Sequence, residues 1–169
     1  MGSESARGVN TRPLEGITVL EVGQYLSAPF AGLKLADLGA RVIKVERPGA
    51  GDPCRNLYIS DPVGGENTLF HAINRGKESL TADLRDPDDR ALLREIIQGA
   101  DVMIQNFRPG VIERQGLGYQ DVRQINPKLV YGSISGFGPT DWAALPGQDL
   151  LAQARSGLMW LTGSRDDPP

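Results

Sequence analysis

Cysteine and histidine are nearly absent from this sequence, which holds one of each, Cys54 and His71. A single cysteine cannot form an internal disulfide, which excludes the small secreted proteins that depend on such bonds. One cysteine and one histidine are also too few for a zinc site of the usual type. A Ser/His or Cys/His catalytic arrangement would have to use His71, and no neighbouring motif supports that role. We therefore expect no metal site, and we expect His71 to be a packed or surface residue.

Long apolar segments are missing as well. No run approaches the roughly 20 residues that a membrane-spanning helix needs, and the segment from Met1 to Pro13 lacks the apolar core of a signal peptide. The 18 lysines and arginines are outnumbered by 21 aspartates and glutamates, so that the formal net charge is -3. General nucleic-acid and membrane-surface binders need a basic excess. We expect a cytoplasmic protein that binds neither nucleic acid nor membrane.

The composition of the 169 residues, 40% hydrophobic and 23% charged, is that of one globular domain with a sizeable core. Short apolar runs alternate with helical segments, which predicts an α/β fold class with a Rossmann-like parallel sheet and flanking helices. A Gly/Pro-rich loop is expected over residues 48–67. The predicted strands are Ile17–Val22, Val42–Val45, Ser79–Leu84, Val102–Phe107 and Leu129–Ser135. The predicted helices are Phe30–Leu38, Asp86–Gln98, Tyr119–Ile125 and Asp149–Leu161.

The first strand, helix and strand have the topology of a dinucleotide-binding unit, and Glu46 ends the second strand where an acid could bind a ribose. The turn after the first strand reads Gly-Gln-Tyr-Leu-Ser-Ala-Pro over residues 23–29. It holds one glycine where the dinucleotide motif needs three. Tyr25 and Leu26 would also keep a pyrophosphate away from the backbone. We therefore do not expect NAD, and no resident cofactor is predicted.

Three arginines follow three predicted strands. Arg47 comes after the second strand, Arg85 after the third and Arg108 after the fourth. In a parallel sheet these carboxyl ends share the edge at which ligands bind, and arginines that converge there would suit phosphate groups. The alternative for each is a solvated arginine in a loop.

Five blocks of sequence, in order and at matching spacing, resemble the family III CoA-transferases. This group includes formyl-CoA transferase, the carnitine and bile-acid CoA-transferases and the α-methylacyl-CoA racemases. The first block runs from Leu20 to Pro48 and contains Leu-Ala-Asp-Leu-Gly-Ala-Arg-Val-Ile-Lys-Val-Glu-Arg-Pro. The others are residues 74–80, residues 100–110 with Asn-Phe-Arg-Pro-Gly, Ser-Gly-Phe-Gly at 135–138, and residues 146–157 beginning Pro-Gly-Gln-Asp.

The resemblance implies that the chain binds coenzyme A as a substrate. The relatives often have glutamine at the position where this sequence has Leu26. For Phe107, the alternative to a CoA contact is a core residue at the end of a strand. The CoA-binding residues that the resemblance implies are Leu26, Ser27, Arg47, Ala82, Asp83, Leu84, Arg85, Asn106, Phe107, Arg108, Arg114 and Gln148.

Gln148 bears on the type of reaction. The racemases of this group have a catalytic histidine where this sequence has Gln148, and glutamine has no accessible pKa for proton exchange at a substrate α-carbon. The resemblance therefore favours an acyl-CoA:carboxylate CoA-transferase over a racemase. It implies a supporting catalytic role for Asp149, whose alternative is an N-cap for the last helix.

The resemblance also implies an aspartate nucleophile that attacks the acyl-CoA thioester. Relatives place it about 30 residues after the acid that matches Asp149, beyond Pro169, so that Asp166 and Asp167 come too early. We thus expect a flexible lead-in at residues 1–13 and the N-terminal portion of the CoA-binding large domain at residues 14–169.

On this reading the small domain, the C-terminal return and the nucleophile lie outside the 169 residues, as in a fragment or truncated product that is inactive alone. The complete protein would form an interlocked homodimer and act on an acyl-CoA and a small carboxylic acid. A non-catalytic CoA- or nucleotide-binding module is the alternative.

Overall fold

A computed structural model describes residues 12–57 and 67–162. Its five strands form one parallel sheet in the order β3-β2-β1-β4-β5, which confirms the predicted α/β class. Leu20 in β1 lies beside Ile43 of β2 and Met103 of β4, so that β1 occupies the middle of the sheet. The strands are β1 (Thr18–Val22), β2 (Arg41–Glu46), β3 (Glu78–Thr81), β4 (Val102–Gln105) and β5 (Val130–Ser133).

Seven helices and one 3₁₀ turn accompany the sheet in the described part of the chain. α3 begins as predicted, because the Asp86 carboxylate accepts hydrogen bonds from the backbone N–H groups of Asp88 and Asp89. The helices are α1 (Ser27–Asp37), α2 (Thr68–Asn74), α3 (Pro87–Gly99), α4 (Val111–Arg114), α5 (Tyr119–Ile125), α6 (Asp149–Ser156) and α7 (Leu158–Leu161), and the 3₁₀ turn is Pro53–Asn56.

The two faces of the sheet carry different cores, because successive strand residues point to opposite sides. On one face, Leu20 and Met103 pack with Leu93 and Ile97 of α3 and with Val122 of α5. On the other face lies a smaller cluster that includes α1; its buried members are Val19, Ala28, Ala40, Val42 and Ile104. The charged residue Glu21, two positions after Val19, therefore points toward α1.

Two predicted helices differ from the observed ones at their ends. α1 begins at Ser27, three residues before the predicted start at Phe30, and Leu26 occupies its N-cap position. Pro29 fits in the first turn, where the backbone N–H that proline lacks would have no helical partner. The predicted helix Asp149–Leu161 is two helices, since Gly157 has a left-handed φ of 78° that ends α6 and begins α7.

Helix α2 was not predicted, although the sequence carries its start signal. The Asn67 side chain accepts hydrogen bonds from the N–H groups of Leu69 and Phe70, as an N-cap does. His71 lies on this helix with an exposed side chain, and its ring meets that of Phe70 edge-on at 5.8 Å. The 3₁₀ turn interrupts the predicted loop over residues 48–67, of which 58–66 lie outside the described residues.

Four strands are shorter than predicted. β1 begins one residue after the predicted start at Ile17, β5 lies inside the predicted Leu129–Ser135, and β3 and β4 end before their predicted ends. β3 ends at Thr81, which pairs with Glu46, the last residue of β2. β4 ends at Gln105, beside Val22 at the end of β1. Each strand thus stops where its neighbour stops, so that the segments 82–84 and 106–107 are released into loops. None of the helices in the described ranges is long and apolar enough to cross a membrane.

Candidate functional site

Most of the residues that the sequence singles out lie in loops at the carboxyl edge of the sheet. Ser27 follows the turn after β1, Arg47 follows β2, the segment 82–85 follows β3 and the segment 106–108 follows β4. All these strands run in the same direction. This edge is where open α/β sheets bind ligands.

Asn106 joins two of the predicted segments. Its Oδ1 accepts a hydrogen bond from the backbone N–H of Gln24 at 2.9 Å, and its Nδ2 donates to the backbone oxygen of Gln24 at 2.8 Å. The same Nδ2 donates to the hydroxyl of Ser27 at 2.9 Å. The side-chain amide of Asn106 therefore joins the turn after β1 to the loop after β4. Asn106 and Ser27 are 79 residues apart in the sequence.

The turn itself has an unusual backbone. Tyr25 has a φ of 63°, the one positive φ at a non-glycine residue in the described ranges. A left-handed conformation at a bulky residue is strained, and such strain is concentrated at functional sites. The side chains of Tyr25 and Leu26 are about half exposed, at 48% and 51%. The turn therefore presents two large side chains to solvent at the carboxyl edge.

The three strand-end arginines share the edge, and each has different surroundings there. Arg47 donates from Nε to the backbone oxygen of Gly51 at 3.2 Å. Arg85 pairs with Asp83 at 2.8 Å and lowers the pKa of that carboxyl to about 2. Arg108 is exposed, and its side chain has no hydrogen bond or ion pair within residues 12–57 and 67–162. Two strands, β2 and β1, lie between β3 and β4, so that β3 and β4 are about 14 Å apart.

The other predicted CoA contacts differ in exposure. Ala82 is buried and its N–H donates to the backbone oxygen of Glu46 at 2.8 Å. Leu84 and Phe107 are half-buried and pack against the larger core, as the core alternative for Phe107 requires. Arg114 ends the short helix α4 and is exposed.

Gln148 and Asp149 lie near the carboxyl end of β5. The backbone of Gly147 approaches that of Gly136 so closely that a Cβ on Gly147 would lie 2.6 Å from the Cα of Gly136. Gln148 is the N-cap of α6, and Asp149 is its first residue, so the N-cap alternative for Asp149 is wrong. The Asp149 carboxylate accepts a hydrogen bond from Gln153. Both Gln148 and Asp149 are exposed.

Two cavities lie outside the set of residues predicted to bind CoA. A cavity of about 350 Å³ is lined by Arg12, Asp37 and Arg75, among others. Another of about 340 Å³ lies beside Phe137 and Trp142. Neither is lined by a residue predicted to bind CoA. Within the described residues, no group of three or more histidines, cysteines, aspartates or glutamates is placed to hold a metal ion.

Sequence reasoning missed a buried ionic cluster beneath the turn, formed by Glu21, Lys44, Asp52 and Lys77. Lys44 Nζ lies 3.0 Å from Glu21 Oε1 and 2.8 Å from Asp52 Oδ2. Lys77 Nζ lies 2.7 Å from Glu21 Oε2. Glu21 and Lys44 are cross-strand neighbours, so opposite charges within two apolar strands were the signal available. Asp52 and Lys77 come from loops, and their positions follow only from the fold.

The two lysines of the cluster respond differently to burial. Burial lowers the pKa of Lys44, but the charges and hydrogen bonds of Glu21 and Asp52 outweigh burial and raise this pKa overall. For Lys77, burial prevails over the attraction of Glu21, and the pKa is lowered. The cluster places two lysines against two carboxylates, and all four side chains are at most 2% exposed. Removal of any one would leave an uncompensated buried charge.

Glu46, considered above for a ribose, is occupied by the protein itself. Arg55 donates to both of its carboxylate oxygens at 2.8 Å, and the backbone N–H of Asp52 donates to Oε2 at 2.9 Å. The hydrogen bonds from Arg55 and from Asp52, against the effect of burial, lower the pKa of Glu46 to about 2. The carboxylate orients the loop after β2 and is not open to a nucleoside.

The family model described as CoA-transferase family III matches residues 14–169. The chain belongs to this family. Over 158 residues it is 45% identical to acetyl-CoA:oxalate CoA-transferase of Acetobacter aceti, covering 93% of this chain and 40% of that protein. Over 161 residues it is 42% identical to human succinyl-CoA:glutarate CoA-transferase, covering 95% of this chain and 36% of that protein.

The fold agrees with a solved structure. A CAIB/BAIF family protein from Brucella suis superposes with a TM-score of 0.85 at 43% identity, over 94% of this chain and 43% of that one. The chain therefore spans less than half the length of these relatives.

Proposed function

We propose that this chain forms the CoA-binding part of an acyl-CoA:carboxylate CoA-transferase. The observation that carries the proposal is the contact of Asn106 with Gln24 and Ser27, which joins two of the segments implied to bind CoA. Arg108, exposed and without a partner in the described residues, adjoins that contact. Its guanidinium suits a phosphate oxygen of CoA. The relatives' names, which pair an acyl-CoA with a carboxylic acid, support the same reaction class.

The length of this sheet edge also suits the ligand. CoA is elongated, with a phosphorylated nucleoside at one end and a thiol at the other. Arg85 and Arg108 follow strands that are about 14 Å apart. This spacing suits two arginines that bind separate parts of one long ligand better than two that bind the same small anion. On this proposal the thioester end extends toward β5, where Gln148 and Asp149 lie.

The proposed reaction is a two-step covalent transfer. An aspartate carboxylate attacks the thioester carbonyl, the C–S bond breaks, and CoA thiolate leaves a mixed anhydride. The thiolate then attacks the aspartyl carbonyl, which releases the donor acid and leaves an enzyme-bound CoA thioester. The acceptor carboxylate repeats these steps in reverse and departs as the new acyl-CoA. We place this aspartate beyond Pro169, with Asp149 in a supporting role.

CoA binding tests the first part of the proposal. Isothermal titration of the 169-residue chain should show binding, and Arg108→Ala should weaken it about tenfold or more, because a charged hydrogen bond is lost. Arg123→Ala is the matched control: this exposed arginine lies in the last turn of α5, before β5 begins, away from the carboxyl edge. Absence of CoA binding, or equal effects of both variants, would contradict the proposal.

Thioester exchange tests the second part. The 169-residue chain, mixed with succinyl-CoA and oxalate or glutarate, should form no new CoA thioester by mass spectrometry. A chain extended past Pro169 to include the aspartate should form one. We further propose, from the resemblance, a cytoplasmic location and an interlocked homodimer for that longer chain. Light scattering that gives a monomer would refute the dimer.

A further inference from the structure

The segment Gly23–Leu26, called here the β1–α1 turn, has its backbone held by side chains from distant parts of the chain. The oxygen of Gly23 accepts a hydrogen bond from Lys44 Nζ at 3.1 Å. The N–H and oxygen of Gln24 are both bonded to Asn106. The N–H of Tyr25 donates to Asp52 Oδ1 at 3.0 Å. Three successive residues are thus fixed from outside the turn.

Tyr25 is the residue for which such fixing matters most. Its φ of 63° is a conformation that an L-residue other than glycine avoids. Without an external bond, the strain favours relaxation to a negative φ, which would redirect the next residues. Those residues are Leu26 and Ser27, which open α1 and are implied CoA contacts. The conformation of Tyr25 therefore sets the direction in which the proposed ligand contacts point.

Asp52 is a rigid anchor for this bond. The residue is 3% exposed, and its Oδ1 also accepts from the N–H of Cys54 at 2.8 Å. Its Oδ2 lies 2.8 Å from Lys44 Nζ, and its own N–H donates to Glu46. The carboxylate is thus fixed from the ionic cluster on one side and from its own loop on the other, and it cannot follow the turn if the turn moves.

We propose that Asp52 is a positioning residue for CoA, which holds Tyr25 in its left-handed conformation and so aims the β1–α1 turn at the ligand. Asp52 does not touch the ligand on this proposal; it acts through the backbone of Tyr25. The inference rests on the proposed function and adds to it a residue that lies outside the segments implied to bind CoA.

A double-mutant cycle separates this role from a purely structural one. Asp52→Ala should weaken CoA binding about tenfold when Tyr25 is present. Without the bond from Asp52, most molecules would leave the strained positive φ that the binding conformation requires. In the Tyr25→Gly background the same change should weaken binding about twofold or less, because glycine adopts this φ without strain. Asp52→Asn retains the Oδ1 acceptor and should bind CoA more tightly than Asp52→Ala. Equal effects of Asp52→Ala in both backgrounds would overturn the proposal.

Glu21→Gln is the matched control for general damage to the ionic cluster. Glu21 contacts Lys44 and Lys77, and it makes no bond to the turn. The variant should lower the midpoint of urea unfolding, as Asp52→Asn should, but leave the CoA dissociation constant within about twofold. If it weakens CoA binding as much as Asp52→Ala does, Asp52 acts only through stability and the inference fails.

Amide hydrogen exchange tests the inference on the unmodified chain, so the result does not depend on whether a variant folds. The Tyr25 N–H should exchange much more slowly than expected for an exposed turn, since its acceptor is buried; exchange at the rate of an open amide would overturn the inference. If the unmodified chain does not bind CoA, the proposed function and this inference fall together. If it binds CoA but the cycle shows no coupling, the inference alone is refuted.

Discussion

Acid should weaken this fold through Glu46, and the structure gives the size of the effect. The pKa of Glu46 falls from 4.5 to about 2 in the folded chain, and one pKa unit is worth about 1.4 kcal/mol. The residue is 6% exposed, whereas its partner Arg55 is 42% exposed. Solvent weakens the pair on that side, so we expect the ionised carboxylate to contribute about 2–3 kcal/mol at pH 7.

The sign follows from the direction of the shift. Because the folded pKa of Glu46 lies below the unfolded value, the stabilisation is fully present above pH 4.5 and is lost as the pH falls toward 2. At pH 3 about 1 kcal/mol remains. The free-energy difference between the unmodified chain and Glu46→Gln should therefore shrink by at least about 1 kcal/mol between pH 7 and pH 3.

Urea unfolding, followed by circular dichroism at pH 7 and pH 3, measures this difference. The other carboxylates contribute equally in the two chains, so that their contributions cancel. Asp83→Asn is the control, since the pKa of Asp83 is also about 2. Its partner Arg85 is 84% exposed, so that Asp83→Asn should have a much smaller effect. A difference for Glu46→Gln that is independent of pH, or an equally large effect of Asp83→Asn, would refute the reasoning.

Two further substitutions test the interior beneath the β1–α1 turn. Lys44→Met should lower the free energy of unfolding by about 3–5 kcal/mol in urea titrations, because it leaves the carboxylates of Glu21 and Asp52 without their shared cation; a neutral result would show that the cluster is not buried as described. Gly32→Ala should lower the thermal midpoint, because the added Cβ would collide with the Glu21 carboxylate. The Cβ of Gly99→Ala would meet nothing within 4 Å. This second substitution should therefore raise the thermal midpoint by reducing the freedom of the unfolded chain. Equal shifts for the two glycines would contradict the packing of α1 on the sheet.

Local signals determined much of this fold. Asp86 with the proline and acids that follow it defined the start of α3, and Tyr119–Ile125 was predicted with the bounds that the structure has. Alternating strands and helices were enough to predict a parallel sheet, since parallel strands need crossover connections. The same order placed Arg47, Arg85 and Arg108 at one edge, and matching motifs indicated the family.

Only the tertiary structure decided how these parts meet. The order of the strands separated β3, which Arg85 follows, from β4, which Arg108 follows. The contact of Asn106 with Ser27 spans 79 residues. No local propensity encodes a contact of that length.

The ionic cluster shows the limit of sequence reasoning most clearly. Glu21 and Lys44 interrupt apolar strands, and this much is visible in the sequence. Their partners Lys77 and Asp52 come from loops that reach the same place only when β1, β2 and β3 lie side by side. Burial of a charge is tolerable only with its partner in place. The sequence therefore supplies the charges, and the packing of distant segments decides that they neutralise one another beneath the β1–α1 turn.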